Sequence, residues 1–145
     1  MPLLVRPLTT EDLDKLKPID SDYARDAGCE ETVSAASLSF YGRSGHAFVL
    51  EEGGRVSGFL LAQAVWNGQR PIVTVRRAVA FHDAGRHSLL EAVTKSAYDA
   101  GAYDILVEHP EGDTAAERAL FACGYAPLPT RLYSRVLGSR ARADS

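Results

Sequence analysis

A single α/β domain is what this 145-residue sequence predicts: a mixed, largely antiparallel sheet with helices on both faces. Three observations predict it. Two apolar, strand-like runs meet at Gly53-Gly54, which reads as a tight antiparallel hairpin. A third run, Pro71–Ala80, feeds an amphipathic stretch that stops at Gly101, and a further strand pattern follows at once. Strand, helix, strand with a crossover of that length makes a parallel pair, right-handed by the usual rule.

Taken in order, Leu3-Leu4-Val5-Arg6 reads as the first strand, ended by Pro7. Thr9 or Thr10 caps the helix that follows, with Glu11 and Asp12 complementing its positive end. Leu13 and Leu16 face inward, and Pro18 is expected to stop this helix. The acid-rich stretch Asp20–Glu31 reads as loop or marginal helix. Ser34 caps a short helix through Ala36, Leu38 and Phe40 that ends near Gly42 or Gly45. The hairpin runs from His46–Glu51 to Arg55–Trp66, apolar on both faces, so the sheet is covered on each side. Gly58 within it marks a bulge or a close backbone approach.

Pro71–Ala80 is rich in β-branched residues and reads as the next strand. Phe81–Gly85 breaks the pattern as a glycine-containing turn, and Leu89, Leu90, Val93, Ala97 and Ala100 then line one helical face. Tyr103–Glu108 is the following strand. Thr114 and Glu117 form a capping box launching a helix through Ala116, Ala119, Leu120 and Cys123, with Gly124 as its stop. Arg131–Leu137 reads as a last strand, so the domain covers 1–138 and a frayed tail covers 139–145.

Composition narrows the function classes. A formal net charge of −3 disfavours a broad nucleic-acid surface. Cys29 and Cys123 are far apart without a CxxC partner, which suits reduced, buried thiols, Cys123 within the core. His46, His82, His87 and His109 match no common zinc spacing, so no metal site is expected. No signal-peptide core and no spanning apolar run is present, which points to a cytoplasmic protein with no membrane partner. The turn ahead of the long helix is the one local feature that suggests a ligand. Unpaired N–H groups at a helix start, together with the dipole, favour an anion such as phosphate; the alternative is that Gly85 merely makes a tight turn.

Several stretches then resemble a known superfamily. Val5–Leu13, the hairpin Glu51–Phe59, and Ala119-Leu120-Phe121-Ala122-Cys123-Gly124-Tyr125 are similar to passages of the GNAT (Gcn5-related N-acetyltransferase-like) proteins, as is the order β-α-α-β-β-β-α-β-α-β. Gly45-His46, Leu61–Trp66, Lys95–Gly101 and Val136–Arg140 resemble, more closely, a small bacterial GNAT-like family of unknown function.

The resemblance implies a sheet whose central parallel strands splay apart, acetyl-CoA as cosubstrate, and acyl transfer to a small amine or a protein amino group. It places the cofactor contacts at Val79, Phe81, Ala84, Gly85, Arg86, His87 and Ser88, with backbone N–H groups near Val79 and Phe81 as oxyanion donors. The glycine signature is reduced to one glycine, and Asp83 opposes a phosphate. For the base, His109 and Glu108 are the candidates, because the fourth strand carries Arg76 and Arg77 where a carboxylate is common. For the acid, the usual Tyr position is Leu120, leaving Tyr133 as the nearest substitute. His46 and Trp66 read as either cap, core or pocket residues. Two readings stand: an N-acyltransferase, or a GNAT-like module that binds CoA, another small ligand or a protein without catalysis. A homodimer is compatible with either.

Overall fold

The computed structural model describes residues 2–138. The expected tail over 139–145 lies outside these residues. The chain runs β1 (Leu3–Pro7), a single 3-10 turn (Thr10–Asp12), α1 (Leu13–Ala27), α2 (Ala35–Gly42), β2 (Phe48–Glu52), β3 (Arg55–Trp66), β4 (Pro71–Ala80), α3 (Asp83–Asp99), β5 (Asp104–Val107) and α4 (Thr114–Ala122). The five strands lie in the order β1-β2-β3-β4-β5, antiparallel except for the parallel pair β4–β5.

Period-two alternation in the hairpin strands builds two cores, one on each face of the sheet. Val49, Phe59 and Leu61 pack against Leu16 of α1 and Leu38 of α2. Leu50, Leu60 and Ala62 point the other way, onto Leu89, Val93 and Ala97 of α3. Gly53 and Gly54 both have positive φ, as the two-residue hairpin turn requires. Gly58 sits where β2 and β3 slip register. A Cβ there would collide with the carbonyl oxygen of Val79, so the close approach foreseen for this glycine is real.

A second slip matters more for function. Leu61 pairs with Arg77 and Ala62 with Val75, leaving Arg76 as an extra residue in β4. Val73 and Val75 pack on the α3 side, whereas Val79 belongs to the α1 side and Arg77 reaches Asp20 of α1. Without the extra residue, period two would keep positions 75, 77 and 79 on one face.

Five expectations are corrected by the structure. Pro18 lies inside α1 instead of ending it, and the helix continues to a left-handed Gly28. The buried Leu16, Asp20 and Ala24 anchor the helix on both sides of the proline, and this packing outweighs the lost hydrogen bond. Gly85 is a helical residue of α3, not part of a turn; the break consists of Phe81 and His82 alone. The cap of α4 is Asp113, whose Oδ1 accepts the Ala116 N–H at 3.0 Å, and Thr114 is already the first helical residue. Cys123 lies part-exposed just past α4 instead of in the core; burial and the neighbouring Glu91 push its thiol pKa up. Residues 131–137 form no strand: they pair with none of the five strands of the described residues, and the outer edge of β5 is left open.

Candidate functional site

Parallel pairing of β4 and β5 ends at Val75 opposite Val107, with one further bond from the Glu108 N–H to the Val75 carbonyl at 3.2 Å. Beyond it β4 continues to Ala80, while the other chain turns away at His109-Pro110. The strands therefore part, and two clefts open in the gap. The first, a narrow slot of about 20 Å³, is walled by Val79 of β4, by Arg86, Leu89 and Leu90 of α3, and by Ala119 and Leu120 of α4. The second, about 200 Å³, is walled by Cys29, Glu30 and Arg76. Arg77, Glu108, His109 and Pro110 line both. One cleft is mainly apolar, the other mainly charged, and the residues between them belong to each.

His109 is held by its own loop. A carbonyl oxygen can only accept, so Nδ1 carries the proton it shares with the Pro110 oxygen at 2.8 Å. The Nε2 lone pair is thereby left for other work. Glu108 lies 4.0 Å from Nη1 of Arg76, which also binds Glu30 at 2.8 Å through Nη2.

Arg77 is 3% exposed despite its charge. Its Nη2 donates to the Glu30 carbonyl at 3.0 Å, its guanidinium lies over the Tyr23 ring, and Asp20 Oδ1 is 3.5 Å from Nη1. Asp20 is itself fully buried, accepting from the N–H groups of Thr32 and Val33 at 2.6 and 2.8 Å. Buried opposite charges of this kind are retained only when each is hydrogen-bonded. Tyr23 donates its hydroxyl to Asp113, tying α1 to the loop ahead of α4 across the mouth of the first cleft. Burial and that carboxylate push the Tyr23 pKa far up, so it stays protonated.

The start of α3 is already capped from within. Nδ1 of His82 accepts the Gly85 N–H at 3.1 Å, and its Nε2 donates to the Glu52 carboxylate at 2.9 Å. The Arg86 N–H donates to the His82 carbonyl. Asp83 sits in the first turn, bound by Arg118 at 2.9 Å and by Arg86 at 3.2 Å. The Arg118 hydrogen bond holds its carboxyl below the usual range. An internal carboxylate thus occupies the position where a phosphate was expected.

Of the residues singled out in the sequence, His109, Glu108, Val79 and Arg86 line the clefts. Phe81 is 66% exposed, and Ala84, Gly85, His87 and Ser88 line neither cleft. Gly85 instead packs into the core: a Cβ there would lie 2.8 Å from Leu50 Cδ2 and 3.2 Å from Ala80 Cβ. Tyr133, on the unpaired segment after α4, is 89% exposed. His46 is buried against Ser96 Oγ at 2.9 Å, and Trp66 is exposed at the end of β3. Sequence reasoning missed Tyr23 and the buried role of Arg77. A charged residue inside a strand with apolar residues on both faces was the available signal for the latter. No group of three or more potential metal-binding side chains occurs among the described residues, and no helix there is long and apolar enough to cross a membrane.

A family model described as "Protein of unknown function (DUF1999)" matches residues 3–126. None of the curated proteins matches. Among solved structures, wild-type TTHA1254 from Thermus thermophilus is 42% identical, with a TM-score of 0.79 over 94% of this chain and 99% of that one. A ribosomal-protein-alanine N-acetyltransferase from Brucella melitensis biovar Abortus 2308 is 14% identical, with a TM-score of 0.72 over 94% of this chain and 100% of that one. AAC(6')-Iy, solved with the bisubstrate analog CoA-S-monomethyl-acetylneamine, is 15% identical, with a TM-score of 0.72 over 95% of this chain and 100% of that one. The fold is that of the GNAT acetyltransferases.

Proposed function

The chain belongs to the family of unknown function DUF1999, and on that premise we propose that it is an acyl-CoA-dependent N-acyltransferase acting on an amine. The observation that carries the reading is the pair of clefts meeting at Glu108-His109, where β4 and β5 part. The apolar cleft between α3 and α4 has the lining an acyl thioester and its arm require but must widen to admit them, and in the charged one an ammonium competes with Arg76 for Glu30 and Glu108. His109 Nε2 accepts the ammonium proton. The freed amine attacks the thioester carbonyl carbon; the C–N bond forms, the C–S bond breaks, and the second proton leaving the attacking nitrogen passes through solvent as the departing thiolate takes one up. Neither Leu120 nor the engaged Tyr23 hydroxyl donates that proton, so solvent supplies it. Free thiols and acyl-CoA coexist in the cytoplasm, where we place the reaction.

A second reading is favoured by the capped start of α3. With Gly85 N–H bound to His82, and Arg86 and Arg118 bound to Asp83, one backbone donor and both arginines at the helix start are already engaged. A CoA molecule must compete with Asp83 for those two arginines. If it does not, the chain is a non-catalytic module on the same fold, binding another small ligand or a protein.

Calorimetry with acetyl-CoA, followed by thiol release across a panel of small amines and a peptide with a free N-terminus, separates the two. Binding with amine-dependent thiol release supports the transferase. Binding without release across the panel supports the module. Undetectable binding at millimolar acetyl-CoA removes the transferase altogether. Asp83→Asn, which frees both arginines, is expected to tighten acetyl-CoA severalfold; weaker binding would exclude them as phosphate contacts.

A further inference from the structure

The charged cleft is lined by two arginines, Arg76 and Arg77, and two glutamates, Glu30 and Glu108, so its charge is balanced. Those groups lean on one another. Arg76 binds Glu30 at 2.8 Å through Nη2, while its Nη1 faces Glu108 at 4.0 Å, beyond hydrogen-bond distance. Pairs this open to solvent are weak and give way to a better partner. Arg77 is buried, and its Nη1 has no hydrogen-bond acceptor among the described residues, Asp20 lying 3.5 Å away. Its unsatisfied donor adds to the positive end of the cleft.

A ligand with a single charge is poorly served by this lining. An ammonium at Glu108 stands beside two guanidinium groups, and a carboxylate at Arg76 stands beside two glutamates. Each is repelled by the groups it does not bind. A molecule carrying both charges meets neither penalty, provided they lie as close together as Arg76 Nη1 and Glu108 Oε2 do. The ammonium and carboxylate of a free α-amino acid hang on one carbon and are that close; the ends of a peptide are not. The volume of about 200 Å³ equals roughly seven waters, room for an amino acid with a short, uncharged side chain.

We propose that the charged cleft binds a small free α-amino acid, its carboxylate accepting from Arg76 Nη1 and its ammonium donating to Glu108, beside His109. This deepens the transferase reading and rests on it for the amino acid's role as acyl acceptor, whereas recognition itself needs no catalysis. An amine without a neighbouring carboxylate, such as a peptide N-terminus, leaves Arg76 Nη1 unanswered and is bound less well.

Titration calorimetry with glycine, L-alanine, L-serine and L-threonine, with and without CoA, tests it. Each is compared with its amide, which lacks the carboxylate, and its N-acetyl form, which lacks the ammonium. At least one amino acid is expected to bind, with both derivatives weaker by about tenfold or more. Arg76→Gln, its fold checked by the urea midpoint, is expected to lower the affinity for that amino acid to that for its amide while leaving the amide unaffected; a merely structural role would weaken both. No binding by any of the four at millimolar concentration overturns the proposal. So does a derivative that binds as well as its parent, or undiminished discrimination in a folded Arg76→Gln. Thiol release from acetyl-CoA is followed separately. Selective amino-acid binding without release supports the recognition and removes the transferase, whereas release with ethylamine but no preference for an amino acid overturns the recognition and keeps the transferase.

Discussion

Gly85→Ala distinguishes a glycine kept for packing from one kept for a phosphate. The added Cβ would stand 2.8 Å from Leu50 Cδ2 and 3.2 Å from Ala80 Cβ, and Leu50 is fully buried with no room to swing aside. Overpacking of this kind costs ~1–3 kcal/mol. Alanine in a helix interior returns ~0.5–1 kcal/mol of glycine's backbone entropy. The net is a destabilisation of roughly 0–2.5 kcal/mol, read as a lowered urea midpoint with an unchanged slope. Leu50→Val removes the clashing Cδ2. In a double-mutant cycle the pair is therefore less destabilised than the sum of the singles, by at least about 0.5 kcal/mol. Acetyl-CoA affinity should not change, since the Gly85 N–H is already bound to His82 and the new methyl points into the core. A stabilised Gly85→Ala, or additive singles, would refute the packing argument. A stably folded Gly85→Ala that no longer binds acetyl-CoA would restore the phosphate role.

Three further outcomes are expected. His109→Gln, which keeps a polar side chain but no base, lowers kcat by roughly 10²–10⁴ with little change in the KM for acetyl-CoA, measured by thiol release. Asp20→Ala leaves Arg77 buried without its counter-charge and strands the Thr32 and Val33 N–H groups, so chemical denaturation should show a loss of ~3–5 kcal/mol, far more than at an exposed ion pair. Stability should fall in two separate steps as the pH drops. Burial pushes the His46 pKa below its usual 6.5, so the unfolded chain takes up the proton first; stability is complete above 6.5 and declines below it, a step that His46→Gln abolishes. For Asp12 burial pushes the carboxyl up, but the hydrogen bonds from Arg6 and the Thr9 N–H outweigh it and hold the pKa below 3.8; its contribution is whole above 3.8 and lost beneath it. Urea titrations at a series of pH values, with and without His46→Gln, separate the steps.

What the sequence by itself determined is what local pattern encodes. The Gly53-Gly54 turn, the span Pro71–Ala80, the Ser34 cap, the stop at Gly101 and the parallel β4–β5 pair were all legible, because each depends on neighbouring residues or on a connection length. The GNAT fold came from the resemblance of Val5–Leu13, Glu51–Phe59 and Ala119–Tyr125 to that superfamily, together with the element order. His109, Glu108, Val79 and Arg86, named from what the resemblance to GNAT proteins implies, line the clefts where β4 and β5 part. Only the tertiary structure decided the rest. The continuation of α1 through Pro18 depends on burial that no local propensity records. The extra residue Arg76 turns Arg77 to the α1 side, and its partner Asp20 lies far away in sequence. Likewise His82 caps α3 because Glu52, from the hairpin, holds its other nitrogen. A helix start reads the same in sequence whether its donors are open or filled; here the local His82 fills one, and the groups that fix His82 and Asp83, Glu52 and Arg118, come from across the fold. Distant side chains therefore set the charge of this site, while the backbone pattern set its place.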